Sequence, residues 1–123
     1  MDANPVIWFE IPALDIERGK AFYEAVFNQK LTVTETSSRQ MAMFSLQGNG
    51  PGISGALVKE NTFVPSYLGT LVYFSVPNIP QTLKKVTENK GKLLIPETPI
   101  APYGSVAYFE DSEGNRIGLH CML

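Results

Sequence analysis

Residues 108–121 read YFEDSEGNRIGLHC. The stretch divides into three parts. "YFED" ends a strand-like run that begins at Gly104, "DSEGN" carries turn residues, and "NRIGLHC" is apolar again with period-two alternation. It reads as two antiparallel strands joined by a turn, with Gly114 and Asn115 taking the positive-φ positions. It also holds the only histidine, His120, and the only cysteine, Cys121. Successive side chains on a strand point to opposite faces. Ile117, Leu119 and Cys121 therefore share one face, and Arg116, Gly118 and His120 share the other. The His–Cys pair is separated across the strand, so His120 is not placed to activate a Cys121 thiolate.

Working backwards, this strand closes the second of two similar units. "VIWFEIP" (6–12) reads as a strand. "LDIERGKAFYEAVFN" (14–28) reads as a helix capped by Asp15, with Ile16, Gly19, Tyr23, Val26 and Phe27 on its apolar face. Gly19 lets that helix lie close to a sheet. Three short strand-like runs follow: "KLTVTET", "RQMAMFSL" and "GISGALV". The glycine-rich "GNGPGISG" (48–55) reads as a connection rather than a phosphate loop, because no helix follows it. The second half repeats the order. "TLVYFSVP" is strand-like, "NIPQTLKKVTENKG" is a helix capped by Asn78, and three strand-like runs complete it. Sliding the chain by 63 residues places Trp8 on Leu71, Asp15 on Asn78, Ile16 on Ile79 and Gly55 on Gly118. The expected organisation is α+β: two tandem βαβββ modules in one domain, at about 5–58 and 69–121, with a linker at about 59–68.

The helix "DIERGKAFY", the closing F-x-D-x-x-G-N-x-I pattern in "YFEDSEGNRIGLH", and the repeat together resemble the vicinal oxygen chelate superfamily, the glyoxalase, bleomycin-resistance and extradiol-dioxygenase group. The resemblance covers nearly the whole chain. It implies two cupped mixed sheets with helices outside, and a homodimer, often with modules exchanged between chains. Metal-binding members carry ligands on the first and last strands of each module. The matching positions here are Trp8, Gly55, Leu71 and Gly118, none of which offers a donor side chain.

The alternation puts Ile7, Phe9 and Ile11 against the first helix, and Val72, Phe74 and Val76 against the second. Trp8, Glu10, Leu71, Tyr73 and Ser75 face the cup, as do Arg116, Gly118 and His120. Gly55 and Leu57 join them through the 63-residue offset. Met41 or Met43 adds to the apolar lining, and Tyr103 reaches the cup from the loop "PETPIAPYG" (96–104). Trp8, Glu10, Leu57, Leu71, Tyr73, Tyr103, Arg116 and His120 are thus the expected ligand-binding residues. An apolar, aromatic pocket with a few polar groups suits a small organic molecule. No cofactor is then expected. Alternatively, Glu10 and His120 act as displaced ligands of a divalent metal in a glyoxalase-like lyase or isomerase or a dioxygenase-like enzyme. They could also work without metal, Glu10 as general base and His120 as acid or orienting group. The bland readings are Glu10 paired with a cup cation such as Arg116, and His120 a hydrogen-bonded strand end. A third possibility is a cup packed shut, acting through protein contacts.

The bulk numbers fit one ordinary globular domain: 123 residues, 44% hydrophobic, 18% charged. A net charge of -2 gives no electrostatic case for nucleic acid or anionic membrane. One cysteine cannot form an internal disulfide or a Cys-rich zinc site. The start "MDANPVIWFEIP" lacks a signal peptide pattern, and no run approaches the ~18 apolar residues of a membrane span. A cytoplasmic location is expected.

Overall fold

The computed structural model describes residues 4–45 and 52–122. Residues 48–51 of the glycine-rich connection lie outside them. The first unit is β1 (Trp8–Pro12), α1 (Ile16–Phe27), β2 (Thr32–Glu35), β3 (Gln40–Met43) and β4 (Ser54–Lys59). The second is β5 (Tyr73–Ser75), α2 (Ile79–Glu88), β6 (Lys92–Pro99), β7 (Ser105–Glu110) and β8 (Arg116–Cys121). Each unit makes its own four-stranded mixed sheet, in the orders β1-β4-β3-β2 and β5-β8-β7-β6. The first strand of each unit runs parallel to the last, and the remaining pairs are antiparallel. The βαβββ repeat is therefore real.

Both helices begin where the sequence places them. The Asp15 carboxylate accepts from Arg18 N at 3.0 Å, and Asn78 Oδ1 accepts from Gln81 N at 2.9 Å. Each cap satisfies an N–H that the helix itself leaves open. A side chain at Gly19 would put its Cβ 2.9 Å from Leu57 Cδ1 and 3.4 Å from Glu113 Cγ. Hydrogen at that position is what lets α1 lie against β4.

One core serves both units. Ile11, Tyr23, Ala42 and Leu57 from the first meet Ile79, Phe109, Ile117 and Leu119 from the second. Phe22 joins the two: it is 2% exposed, and its ring lies 5.9 Å from that of Phe109. A single-stripe reading of α1 omits Phe22, because the helix buries two faces, one on its own sheet and one on the other unit. Burying a side chain this size stabilises by about 1.5–3 kcal/mol. Phe9, Phe27, Phe44 and Phe74 extend the core as a cluster, with Phe27 and Phe74 stacked at 4.4 Å.

Ile7, assigned to the helix face, is 81% exposed, because β1 begins only at Trp8 and the helix does not reach so far. The second unit's first strand is short, Tyr73–Ser75, within the longer expected run. The loop expected at 96–104 is partly strand: β6 continues to Pro99 through two register shifts, at Leu93/Ile95 and Ile95/Thr98. Within "DSEGN" only Gly114 has positive φ, at 104°. Asn115 instead donates from its backbone N and its Nδ2 to Asp111, each at 2.9 Å.

The last strands of the two units differ in register by one residue from the 63-residue offset. Ala13 N donates to Val58 O and Val76 N donates to His120 O, each at 2.9 Å. Ala13 and Val76 are 63 apart, whereas Val58 and His120 are 62 apart. The offset therefore drops by one before the last strand. Gly118 matches Ala56, not Gly55, and His120 matches Val58, not Leu57. A one-residue slip moves every side chain to the other face. Gly55 pairs with Phe9 and Leu57 with Ile11, so both belong to the helix side. Leu57 is 0% exposed beneath α1 and does not line the cup.

Candidate functional site

The open edges β1 and β5 border one cleft of about 1510 Å³. Five of the expected binding residues line it: Trp8, Glu10, Leu71, Tyr73 and Arg116. The face of the first sheet that carries Glu10 continues through Ala56 and Val58, opposite Glu10 and Pro12, and through Met43 and Met41, their partners on β3; none of the four lines the cleft, so the expected methionine lining is corrected, and Ala56 and Val58 are 0% exposed. His120 and Tyr103 lie apart from the cleft lining, bound to each other: His120 Nε2 is 2.6 Å from Tyr103 O. The Tyr103 side chain, expected at the cup, is instead 67% exposed, and the loop meets His120 through its backbone.

Glu10 is half-buried and fully engaged. Arg39 Nη2 donates to Oε1 at 2.8 Å, and Trp8 Nε1 donates to Oε2 at 3.2 Å. Arg39 Nε also binds Glu60 at 2.8 Å, so one guanidinium ties the β1 carboxylate to that of Glu60, the residue just past β4. The Arg39 hydrogen bond is the main reason the Glu10 carboxyl titrates below its ordinary value; partial burial opposes it and the Trp8 bond adds to it. The expected partner Arg116 is therefore corrected to Arg39, a residue of the β2–β3 turn that strand alternation does not place. No hydrogen bond or ion pair joins Glu10 to His120 among the described residues.

The second sheet presents an aromatic surface. The Tyr73 ring lies on Gly118: a Cβ there would sit 2.6–3.0 Å from three of its carbons. Glycine is the residue that permits this contact, and any larger side chain would displace the ring. Tyr73 Oη and Tyr108 Oη are 2.6 Å apart, and their rings meet edge to face at 5.8 Å. That bond, with burial second, holds the Tyr73 hydroxyl above its ordinary pKa, while the nearby Arg116 charge pulls the other way. Tyr67 donates to Glu110 on the neighbouring strand pair.

The donor set does not fit a family-type metal. Trp8, Leu71 and Gly118 lack ligating side chains, and the register makes Ala56, equally inert, the counterpart of Gly118. Among the described residues no group of three or more His, Cys, Asp or Glu side chains is placed to hold a metal ion. Cys121 is buried on the helix side, with its Sγ 3.6 Å from Pro77 O.

"DSEGN" does more than turn the chain. Asp111, Glu113 and Asn115 are at most 4% exposed. The Glu113 carboxylate accepts from Leu14 N and Asp15 N, at the start of α1, at 2.9 and 2.8 Å. It also accepts from Arg18 Nε and Nη2 at 2.7 and 3.0 Å, and from Ser112 Oγ at 2.9 Å. Asp111 accepts from the fully buried Tyr23 hydroxyl at 2.6 Å, and Asn115 Nδ2 donates to Pro12 O at 2.7 Å. The motif's polar groups thus fasten the second unit to α1 and to the end of β1, the strand that carries Trp8 and Glu10.

Comparisons agree with this architecture. Residues 6–119 match the family model for the Glyoxalase/Bleomycin resistance protein/Dioxygenase superfamily. A "Glyoxylase-like domain-containing protein" of Didymella fabae is 30% identical over 110 residues, spanning 86% of this chain and 84% of that one. A glyoxylase/bleomycin resistance protein/dioxygenase domain from Frankia sp. EAN1pec superposes with a TM-score of 0.75 at 15% identity, covering 98% of both chains. The fosfomycin resistance protein FosX of Listeria monocytogenes gives 0.69 at 14% identity, covering 98% of this chain and 92% of that one. Glyoxalase I from Zea mays gives 0.71 at 16% identity, covering 96% of this chain but 46% of that one, so this chain spans about half of its length. With the paired βαβββ units, these matches place the chain in the Glyoxalase/Bleomycin resistance protein/Dioxygenase superfamily.

Proposed function

We propose that the protein binds a small organic molecule in the cleft between β1 and β5, without a metal ion of the family type. The single observation that carries this reading is the packing of Tyr73 on Gly118. At a position where metal-binding relatives place a carboxylate, this chain has an aromatic ring held by a second tyrosine hydroxyl. Trp8, Leu71 and Tyr73 supply apolar and aromatic surface to the same cleft, which suits a flat or hydrophobic ligand. A displaced site on Glu10 and His120 is less favoured, because Arg39 and Trp8 hold the first and Tyr103 O holds the second.

The partner proposed for the outer part of the cleft is a second copy of this chain. The cleft exceeds the roughly 300–1,000 Å³ of an ordinary ligand site. Exposed Ile7, Val64 and Leu68 line it, at 81%, 67% and 84%. Its two bordering strands have unpaired edges, which favour covering. A cytoplasmic setting without nucleic acid accords with the single cysteine and the weak net charge. No helix among the described residues is long and apolar enough to cross a membrane.

Trp8 is the only tryptophan, so its emission reports on the cleft. Titration with flat apolar compounds should give saturable changes that survive excess chelator. Saturation abolished by chelator and restored by added zinc or manganese would refute the metal-free reading.

A further inference from the structure

We propose that the ligand is an organic anion, and that Arg116 is the residue that selects it. This inference rests on reading the cleft as a small-molecule site. Arg116 opens β8, is half-buried and lines the cleft beside Ser66, Leu71 and Tyr73. Its guanidinium makes no hydrogen bond or ion pair with any described residue, and its Nε is buried without a partner. The contrast with the other arginines is plain: Arg18 grips Glu113, and Arg39 joins Glu10 to Glu60. The acid opposite Arg116 on β7, Glu110, takes the Tyr67 hydroxyl instead. A buried guanidinium N–H left open costs about 1–3 kcal/mol, and no carboxylate among the described residues balances the charge that Arg116 brings to the cleft.

The neighbouring hydroxyls fit the same occupant. In the Tyr73–Tyr108 pair one hydroxyl proton is used between the two oxygens. The other remains free to donate, as each hydroxyl carries one donor. Tyr73 pairs with Gly118, which lies two residues from Arg116 on the same face of β8, and both Tyr73 and Arg116 line the cleft. Trp8 and Leu71 supply apolar wall for the rest of the molecule. The matching class is a carboxylate or phosphoryl group on a flat apolar body. A carboxylate can take a guanidinium in two parallel hydrogen bonds.

The test uses 2-naphthoate, its neutral near-isostere 2-naphthamide and 2-naphthyl phosphate, each titrated against Trp8 emission. Charge-assisted bonding in a half-exposed site should favour 2-naphthoate over the amide by about tenfold. Arg116→Gln should remove that preference by weakening the acid and leaving the amide unchanged, whereas Arg116→Lys should keep part of it. The wild-type comparison needs no variant to fold. A phosphate that binds more tightly than the carboxylate would assign the anion as phosphoryl within the same proposal. Equal binding of acid and amide overturns the inference while leaving the small-molecule reading intact. A preference that persists in Arg116→Gln also overturns it, and weakened self-association of that variant would then assign Arg116 to the second copy. Failure of all three probes to bind overturns both readings.

Discussion

Replacing Glu113 by Gln keeps the shape of the side chain and removes its charge. The native carboxylate accepts five hydrogen bonds: from two backbone N–H groups at the start of α1, two Arg18 nitrogens and the Ser112 hydroxyl. An amide oxygen can keep the backbone pair, and the amide nitrogen can donate to Ser112. The same nitrogen then faces Arg18 Nε, donor against donor. Hydrogen bonds to a charged group are worth about 1.5–3 kcal/mol. The Arg18 side chain is 38% exposed and can swing into water, so the loss falls toward the lower half of that range, about 2 kcal/mol. Burial works against the Glu113 charge, but the bonds from Arg18, Asp15 N and Ser112 outweigh it and hold the folded-state carboxyl below its ordinary pKa. A lowered acid pKa contributes stability that is present above the unfolded value and lost as pH falls through the folded one. Urea unfolding at pH 7, 5 and 4 and below should therefore show a gap of about 2 kcal/mol between wild type and Glu113→Gln at neutral pH, shrinking as the wild-type carboxylate protonates. A gap below about 0.5 kcal/mol at pH 7, or one unchanged in acid, would refute the staple as described.

Three further outcomes are expected. Tyr23→Phe removes one hydroxyl from a fully buried ring and leaves Asp111 three donors; it should cost about 1.5–3 kcal/mol in urea unfolding with no change in m. Gly118→Ala places a methyl 2.6 Å from the Tyr73 ring, which must swing away from Tyr108. It should cost about 1–3 kcal/mol and weaken ligand binding seen through Trp8 emission. Leu68→Glu puts a charge on an 84% exposed cleft residue and should shift sedimentation toward monomer, with the thermal midpoint becoming less dependent on protein concentration.

The repeat, both N-caps and the helix-side faces of β5 and β8 were legible because each depends on local chemistry: a carboxylate or amide before a helix, or alternation along a strand. The face of β4 was not. Its register depends on where the chain gains one residue between Asp15 and Ser54 relative to Asn78 and Arg116, and nothing at Gly55 or Leu57 signals it. The Glu10–Arg39 pair was missed for a similar reason. Arg39 is 29 residues from its partner and lies on a turn, outside any strand or helix pattern. "DSEGN" carries a signal of its own: four polar residues before an apolar strand, where a plain surface turn needs only the glycine. Their burial against α1 is a long-range fact that adjacency in sequence does not contain. Trp8, Glu10, Leu71, Tyr73 and Arg116 meet because the two first strands, β1 and β5, border one cleft, a consequence of the repeat itself.

Metal content bears most directly on the proposed function. Protein purified without chelators should carry zinc, nickel, iron or manganese far below one ion per chain by mass spectrometry, and Trp8-detected binding should not change when these ions are added. Stoichiometric metal that is lost on His120→Ala would contradict it.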